Sequence, residues 1–167
     1  MTVREIRLFG DPVLKSVCAP VTKFDEGITA LAADLVETTT QISGRAGVAA
    51  NQIGVGLRAF SWNVDGASGV IFNPVLVEVR GEKKLVQEGC LSVPGLWHET
   101  PRHEYARVEG QDATGAPIVL EGTGLMAQAL QHECDHLDGL LYLDRLEPEE
   151  RKLAMRKLRE QDWFLSR

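Results

Sequence analysis

Apolar positions recur along the chain with two different periods. From Asp25 to Gln41, residues Ile28, Leu31, Ala32, Leu35 and Val36 fall at helical spacing. They predict an amphipathic helix with Asp25 as its N-cap and Gly44 just past its end. The middle of the chain has strand character. Leu57 to Val64 and Val70 to Val79 are rich in β-branched and aromatic residues, and Asp65-Gly66 between them signals a turn. Lys84 to Val86 is a short piece leading into Glu88-Gly89-Cys90. Tyr105 to Gln111 and Pro117 to Leu120 predict a hairpin turning at Asp112-Ala113-Thr114-Gly115. The segment that holds His98 and His103 is polar and has turn character.

Helical spacing returns from Thr123 to Asp138, stopped by Gly139. It returns again from Pro148 to Trp163, with Pro148 in the first turn and Leu153, Ala154, Leu158 and Phe164 as apolar positions. Strands grouped in the middle with helices at both ends predict an α+β fold, not alternating βαβ units. The length of 167 residues favours one domain, 1–167, and the 44% hydrophobic share supplies a full core. A net charge of -6 argues against DNA binding by bulk positive charge. No apolar run is long enough for a membrane span, and the first residues do not look like a signal peptide. Three cysteines, Cys18, Cys90 and Cys134, make an odd count that argues for a reducing, cytoplasmic setting and against a disulfide framework.

The sharpest chemical signal is His132-Glu133-Cys134-Asp135-His136, an H-E-x-x-H pattern. Residues four apart on a helix differ by about 40° around the axis, so both imidazoles can grip one ion. Glu133 lies about 60° from His136 on that side, and Cys134 about 160° from both imidazoles, on the back, as a core residue. A catalytic metal usually takes three protein ligands and keeps one position open. His98, His103 and Cys90 are the remaining candidates. Cys90 is the better one because Gly89 lets the backbone approach closely, although a lone Cys is more often a small buried residue. A thiolate with two imidazoles suits zinc or ferrous iron above magnesium or calcium.

Three segments together resemble the peptide deformylase family. Gly47-Val48-Ala49-Ala50-Asn51-Gln52 is similar to its G-φ-A-A-x-Q segment, where φ is apolar. Glu88-Gly89-Cys90-Leu91-Ser92 matches E-G-C-L-S, and Gln131 to Leu137 matches Q-H-E-x-D-H-L. The family pattern usually has another Gly two residues before Gly47; this chain has Arg45, with Gly44 one place earlier. A side chain there reshapes the loop beside the substrate or adds a charge at the cleft rim.

The resemblance implies hydrolysis of the N-formyl group from the formyl-methionine of new polypeptides, with release of formate. It implies antiparallel sheets packed around the H-E-x-x-H helix, with N- and C-terminal helices. It implies one divalent metal per chain on Cys90, His132 and His136, commonly Fe2+, with Zn2+, Ni2+ or Co2+ as substitutes. Members belong to bacteria and organelles, and in bacteria a C-terminal helix can contact the ribosome. The basic run Arg151, Lys152, Arg156, Lys157 and Arg159 suits such a contact with RNA phosphates, and equally a solvated face.

Metal coordination brings the pKa of bound water toward about 7, and Glu133 is expected to take its proton and deliver it to the leaving amine. By resemblance, the Gln52 side-chain amide and the Leu91 backbone N–H donate to the oxyanion. Ser92 lacks the G-x-S-x-G elbow of a serine hydrolase. Ala129 and Leu125 share the helical face of His132, as a wall for a methionine side chain or simply as core. Gly47 and Gly89 allow backbone pairing with an extended peptide. Trp97 and Arg102 are expected to border the cleft. Asp135, beside His136, reads as a support for the imidazole or a salt-bridge residue, and equally as a solvated charge. A metallopeptidase and a non-enzymatic binder of formylated peptides are the competing readings.

Overall fold

The computed structural model describes residues 2–166. Strands β1 (Gly47–Ala49), β2 (Ala59–Val64), β3 (Ala67–Cys90), β4 (Val93–Gln111) and β5 (Pro117–Thr123) join in that order into an antiparallel sheet. Neighbours in sequence are neighbours in space, so short connections suffice. Asp65 and Gly66 turn β2 into β3 with φ of 53° and 79°, the paired left-handed conformation that tight hairpins require.

β3 and β4 run far longer than the apolar pattern predicts. They pair from Phe72↔Gln111 to Cys90↔Val93, with register shifts between Phe72 and Val75, Leu76 and Glu78, Arg80 and Lys83, and Gly89 and Cys90. Each shift resets which side chains face inward, so no single alternation persists. That is why Lys84 to Val86 reads as an isolated piece. His98 and His103, expected in a turn-like segment, lie within β4, where Pro94, Gly95 and Pro101 mask the strand pattern.

The first helix, α1 (Glu26–Thr40), follows its pattern closely. The Asp25 carboxylate accepts from the N–H groups of Gly27 and Ile28, and Ile28, Leu31, Ala32 and Leu35 pack with Val48, Ala59 and Phe72. The second, α2 (Gly124–Leu137), touches all five strands. Ala127, Leu130, Cys134 and Leu137 face Phe60, Ile71, Ala106 and Val108. Gly139 ends the turn that follows with φ of 75°, and a Cβ there would lie 2.6 Å from the Lys15 carbonyl oxygen.

The helix expected from Pro148 to Trp163 is broken in two: α3 (Pro148–Leu158) and α4 (Asp162–Leu165). Ala154 and Leu158 are buried, and the break between the helices lets Trp163 Nε1 reach back to the Pro94 carbonyl at 3.0 Å. Among the described residues no helix is long and apolar enough to cross a membrane.

Candidate metal centre

The β3–β4 hairpin ends in a two-residue turn, Leu91-Ser92, between the paired residues Cys90 and Val93. That tip brings Cys90 to the face of α2. Cys90 Sγ lies 3.3 Å from His136 Nε2, which lies 3.1 Å from His132 Nε2. All three donor atoms fall within 4.8 Å of one another, and no other such group occurs among the described residues. A tetrahedral ion with bonds of about 2.0–2.1 Å to nitrogen and 2.3 Å to sulfur sets its ligands about 3.3–3.6 Å apart. The observed spacings and the soft, uncrowded donor set fit one such ion. The other two candidates are engaged elsewhere. His98 Nδ1 meets Glu150 at 2.7 Å, and His103 Nδ1 meets the Gly81 carbonyl at 2.8 Å.

The imidazoles are oriented from behind. His132 Nδ1 lies 2.5 Å from Glu88 Oε1. A carboxylate accepts, so Nδ1 carries the proton and the Nε2 lone pair faces Cys90 and His136. Arg102 donates to both oxygens of Glu88 at 2.8 and 2.9 Å and to Asp135 at 2.7 Å. Arg145 donates to both oxygens of Asp135 at 2.7 and 3.2 Å, sharing Oδ2 with Arg102. Burial pushes the Glu88 carboxyl up, but the hydrogen bonds from His132 and Arg102 outweigh it and hold it at about 2. Burial likewise opposes the charged form of His132, yet its bonds to Cys90 and Glu88 raise its pKa well above the ordinary value, so a metal taking the Nε2 lone pair would displace a proton there and leave the one on Nδ1. His136 goes the other way, lowered by burial and by the charges of His132 and Arg102, so its ring is neutral.

This arrangement decides Asp135 and corrects Arg102. Asp135 is buried and takes the salt-bridge role of those expected for it, pairing with the two arginines and not with His136. Arg102 does not border the cleft; it is 5% exposed and lies behind the histidines. The sequence reading missed Glu88 as the support of His132. A signal was present: residues two apart on a strand share a face, so Glu88 accompanies Cys90 toward α2.

Glu133 is buried beside the cluster, and burial pushes its carboxyl up to about 7. Oε2 has no hydrogen-bond partner. Its seat depends on Gly47, because a Cβ there would stand 2.6 Å from Glu133 Oε1. Gln52 follows β1 in a 3-10 turn, Ala50–Ile53. Its Oε1 accepts from the Ala49 N–H at 2.9 Å, so Nε2 faces Ser92 Oγ at 3.1 Å and Cys90 Sγ at 3.5 Å. Ser92 thus serves Gln52. Cys134 turns away into the core, as its helix position predicts, and burial raises its thiol to about 12.

Above the cluster opens a cavity of about 400 Å³. Gly47, Gly89, Leu91, Trp97, Leu125 and Ala129 line it. Leu125 is half exposed on its wall while Ala129 is buried. Trp97 is 68% exposed and covers Gly89, whose Cβ would lie 2.8 Å from its ring. The residues singled out from the sequence as metal, acid–base and pocket groups therefore converge on one cleft.

Comparison with known proteins points the same way. Residues 3–152 match the family described as polypeptide deformylase. The chain is 50% identical to a peptide deformylase of Acidothermus cellulolyticus over 163 residues, covering 98% of this chain and 89% of that one. It is 46% identical to peptide deformylase 1 of Corynebacterium efficiens, covering 98% and 99%. A crystal structure of a peptide deformylase from Legionella pneumophila superposes with a TM-score of 0.89 at 38% identity, covering 99% of each chain.

Glu88→Gln keeps the size of the residue but removes the charge that accepts from His132. Metal affinity is expected to fall about 10- to 100-fold, read by competition with a chelator. Unchanged affinity would separate Glu88 from ligand positioning.

Proposed function

The chain belongs to the polypeptide deformylase family, hydrolases that remove the N-formyl group from nascent polypeptides, and from that premise we propose how its own residues divide the work. The observation that carries the assignment is the meeting of Cys90, His132 and His136 with buried Glu133 at the floor of one cleft. We assign the three as the ligands of a single divalent metal in one catalytic domain, 1–167. A divalent metal held by Cys90, His132 and His136 would supply Lewis acidity for the hydrolysis.

Glu133 takes the proton of the attacking water and passes it to the leaving amine. A carboxyl raised to about 7 by burial is suited to both transfers. Gln52 Nε2 and the Leu91 backbone N–H donate to the formyl oxygen as it gains charge. The fixed orientation of the Gln52 amide supports this, because the Ala49 N–H already holds Oε1. Leu125 and Ala129 form the wall against the methionine side chain. Gly47 and Gly89 offer backbone groups to the extended peptide, and Trp97 borders its path.

For the metal we propose ferrous iron, with zinc, nickel or cobalt as substitutes, in a cytoplasmic setting. The thiol donor and the unpaired state of Cys18, Cys90 and Cys134 support both. The ribosome is the proposed partner of α3. Arg151 and Lys152 are occupied by Asp144 and Glu149. Arg156, Lys157 and Arg159 are exposed and form no ion pair among the described residues, which makes them the better candidates for RNA phosphates.

Glu133→Ala at equal metal content should reduce formate release from a formyl-Met peptide by at least about 100-fold; comparable release would remove Glu133 from proton transfer. Iron-loaded protein should lose activity in air faster than nickel-loaded protein, and equal lifetimes would count against iron as the native metal. Reversing the charges of Arg156, Lys157 and Arg159 to Glu should abolish co-sedimentation with ribosomes. Truncation after Leu146 would not be an equivalent test, because it would also strip Ala154 and Leu158 from the core. Unchanged co-sedimentation would sink the ribosomal role.

A further inference from the structure

The cleft carries one cation that the steps above do not use. Arg45 lies between α1 and β1 and lines the cleft beside Gly44, Ala46 and Gly47; no other lysine or arginine among the described residues lines it. Its Nη1 donates to the Thr38 carbonyl at 2.6 Å, in the last turn of α1, where the helix dipole favours a positive charge. One edge of the guanidinium is thereby fixed. Nε is buried and has no hydrogen-bond partner.

Most arginines of this acidic chain meet a carboxylate, as Arg58 does Asp138 and Arg145 does Asp135. Arg45 forms no ion pair among the described residues. Burial lowers its pKa and no carboxylate counteracts that shift. A half-buried cation held at a cleft wall without a counterion attracts an anion that enters the cleft more strongly than a fully solvated one would.

We propose that Arg45 is a specificity-determining residue that binds a carboxylate side chain of the peptide just downstream of formyl-methionine, so that the enzyme favours substrates with an early Asp or Glu. The inference rests on the cleft being the path of the peptide. The alternative role is purely structural, a clamp from the loop to the end of α1, and the test is built to tell the two apart.

The measurement is kcat/KM on C-terminally amidated formyl-Met peptides carrying Glu, Gln or Lys at the second or third residue. Native enzyme at low salt should favour Glu over Lys by about fivefold, mostly through KM. Added salt should shrink the ratio. Arg45→Gln should bring it to about one, Arg45→Glu should invert it, and Arg45→Lys should keep it. Because each ratio is taken within one enzyme preparation, loss of folded protein cancels, and a clamp alone would leave it unmoved. A native ratio near one, or a ratio unchanged in Arg45→Gln, overturns the proposal. So does a preference seen only with peptides bearing a free C-terminal carboxylate. Absence of formate release from every peptide, the Gln peptide included, would instead strike the assignment of the cleft itself.

Discussion

The geometry of the centre hangs on one buried cation. Arg102 stands on β4, yet its guanidinium binds Glu88 on β3 and Asp135 on α2. Three elements distant in sequence are thus fixed to one planar group whose donor directions are rigid. Glu88 then sets the ring of His132, and Asp135 ties the helix to Arg145. Taking these charges out of water is costly, and the hydrogen bonds among them offset that cost only as a complete set. Removing one member leaves uncompensated charge in the interior, typically about 3–5 kcal/mol. The network therefore specifies relative position more than it adds stability. It makes the hairpin tip and the helix arrive at one spacing.

Within that frame α2 serves two environments at once. Leu130, Cys134 and Leu137 enter the sheet core, while His132, Glu133 and His136 turn toward the hairpin. A helix so placed has no solvent-facing turn through its second half, and its polar groups are held where water cannot relax them. This is the condition under which a carboxyl such as Glu133 keeps a raised pKa. The bare backbone at Gly47 is what allows that carboxyl to fit against β1 at all.

Much of this was legible in the sequence, for identifiable reasons. The bounds of α1 and α2 follow from local signals: an Asp cap, helical apolar spacing and a glycine stop. The H-E-x-x-H spacing and its glycine-flanked Cys90 are likewise local, and they meet in space. What local signals could not carry was the β3–β4 arm. Its repeated register shifts break the alternation, and His98 and His103 lie in strand where prolines and polarity suggested a turn. The division of the last helix into α3 and α4 depends on Trp163 finding Pro94, a contact with no trace in periodicity. The fate of Asp135 and Arg102 was also closed to inspection, because a charged residue reads the same on a surface and in a buried network until its partners are placed.

The hairpin origin of Cys90 has a consequence for assembly. Its two imidazole companions follow only after β4 and β5, so nothing local gathers the three donors. In an unfolded chain the histidines alone form a weak chelate. Full coordination would wait until the long arm has paired and α2 has docked across the sheet. The choice of ion would then belong to the finished tertiary structure, exposed to whatever the surrounding metal pool offers, and not to the emerging chain. With an ion on these three donors, opening of the tip and escape of the ion would be one event seen from two sides, so retention of metal would double as a gauge of how tightly this corner of the protein is closed.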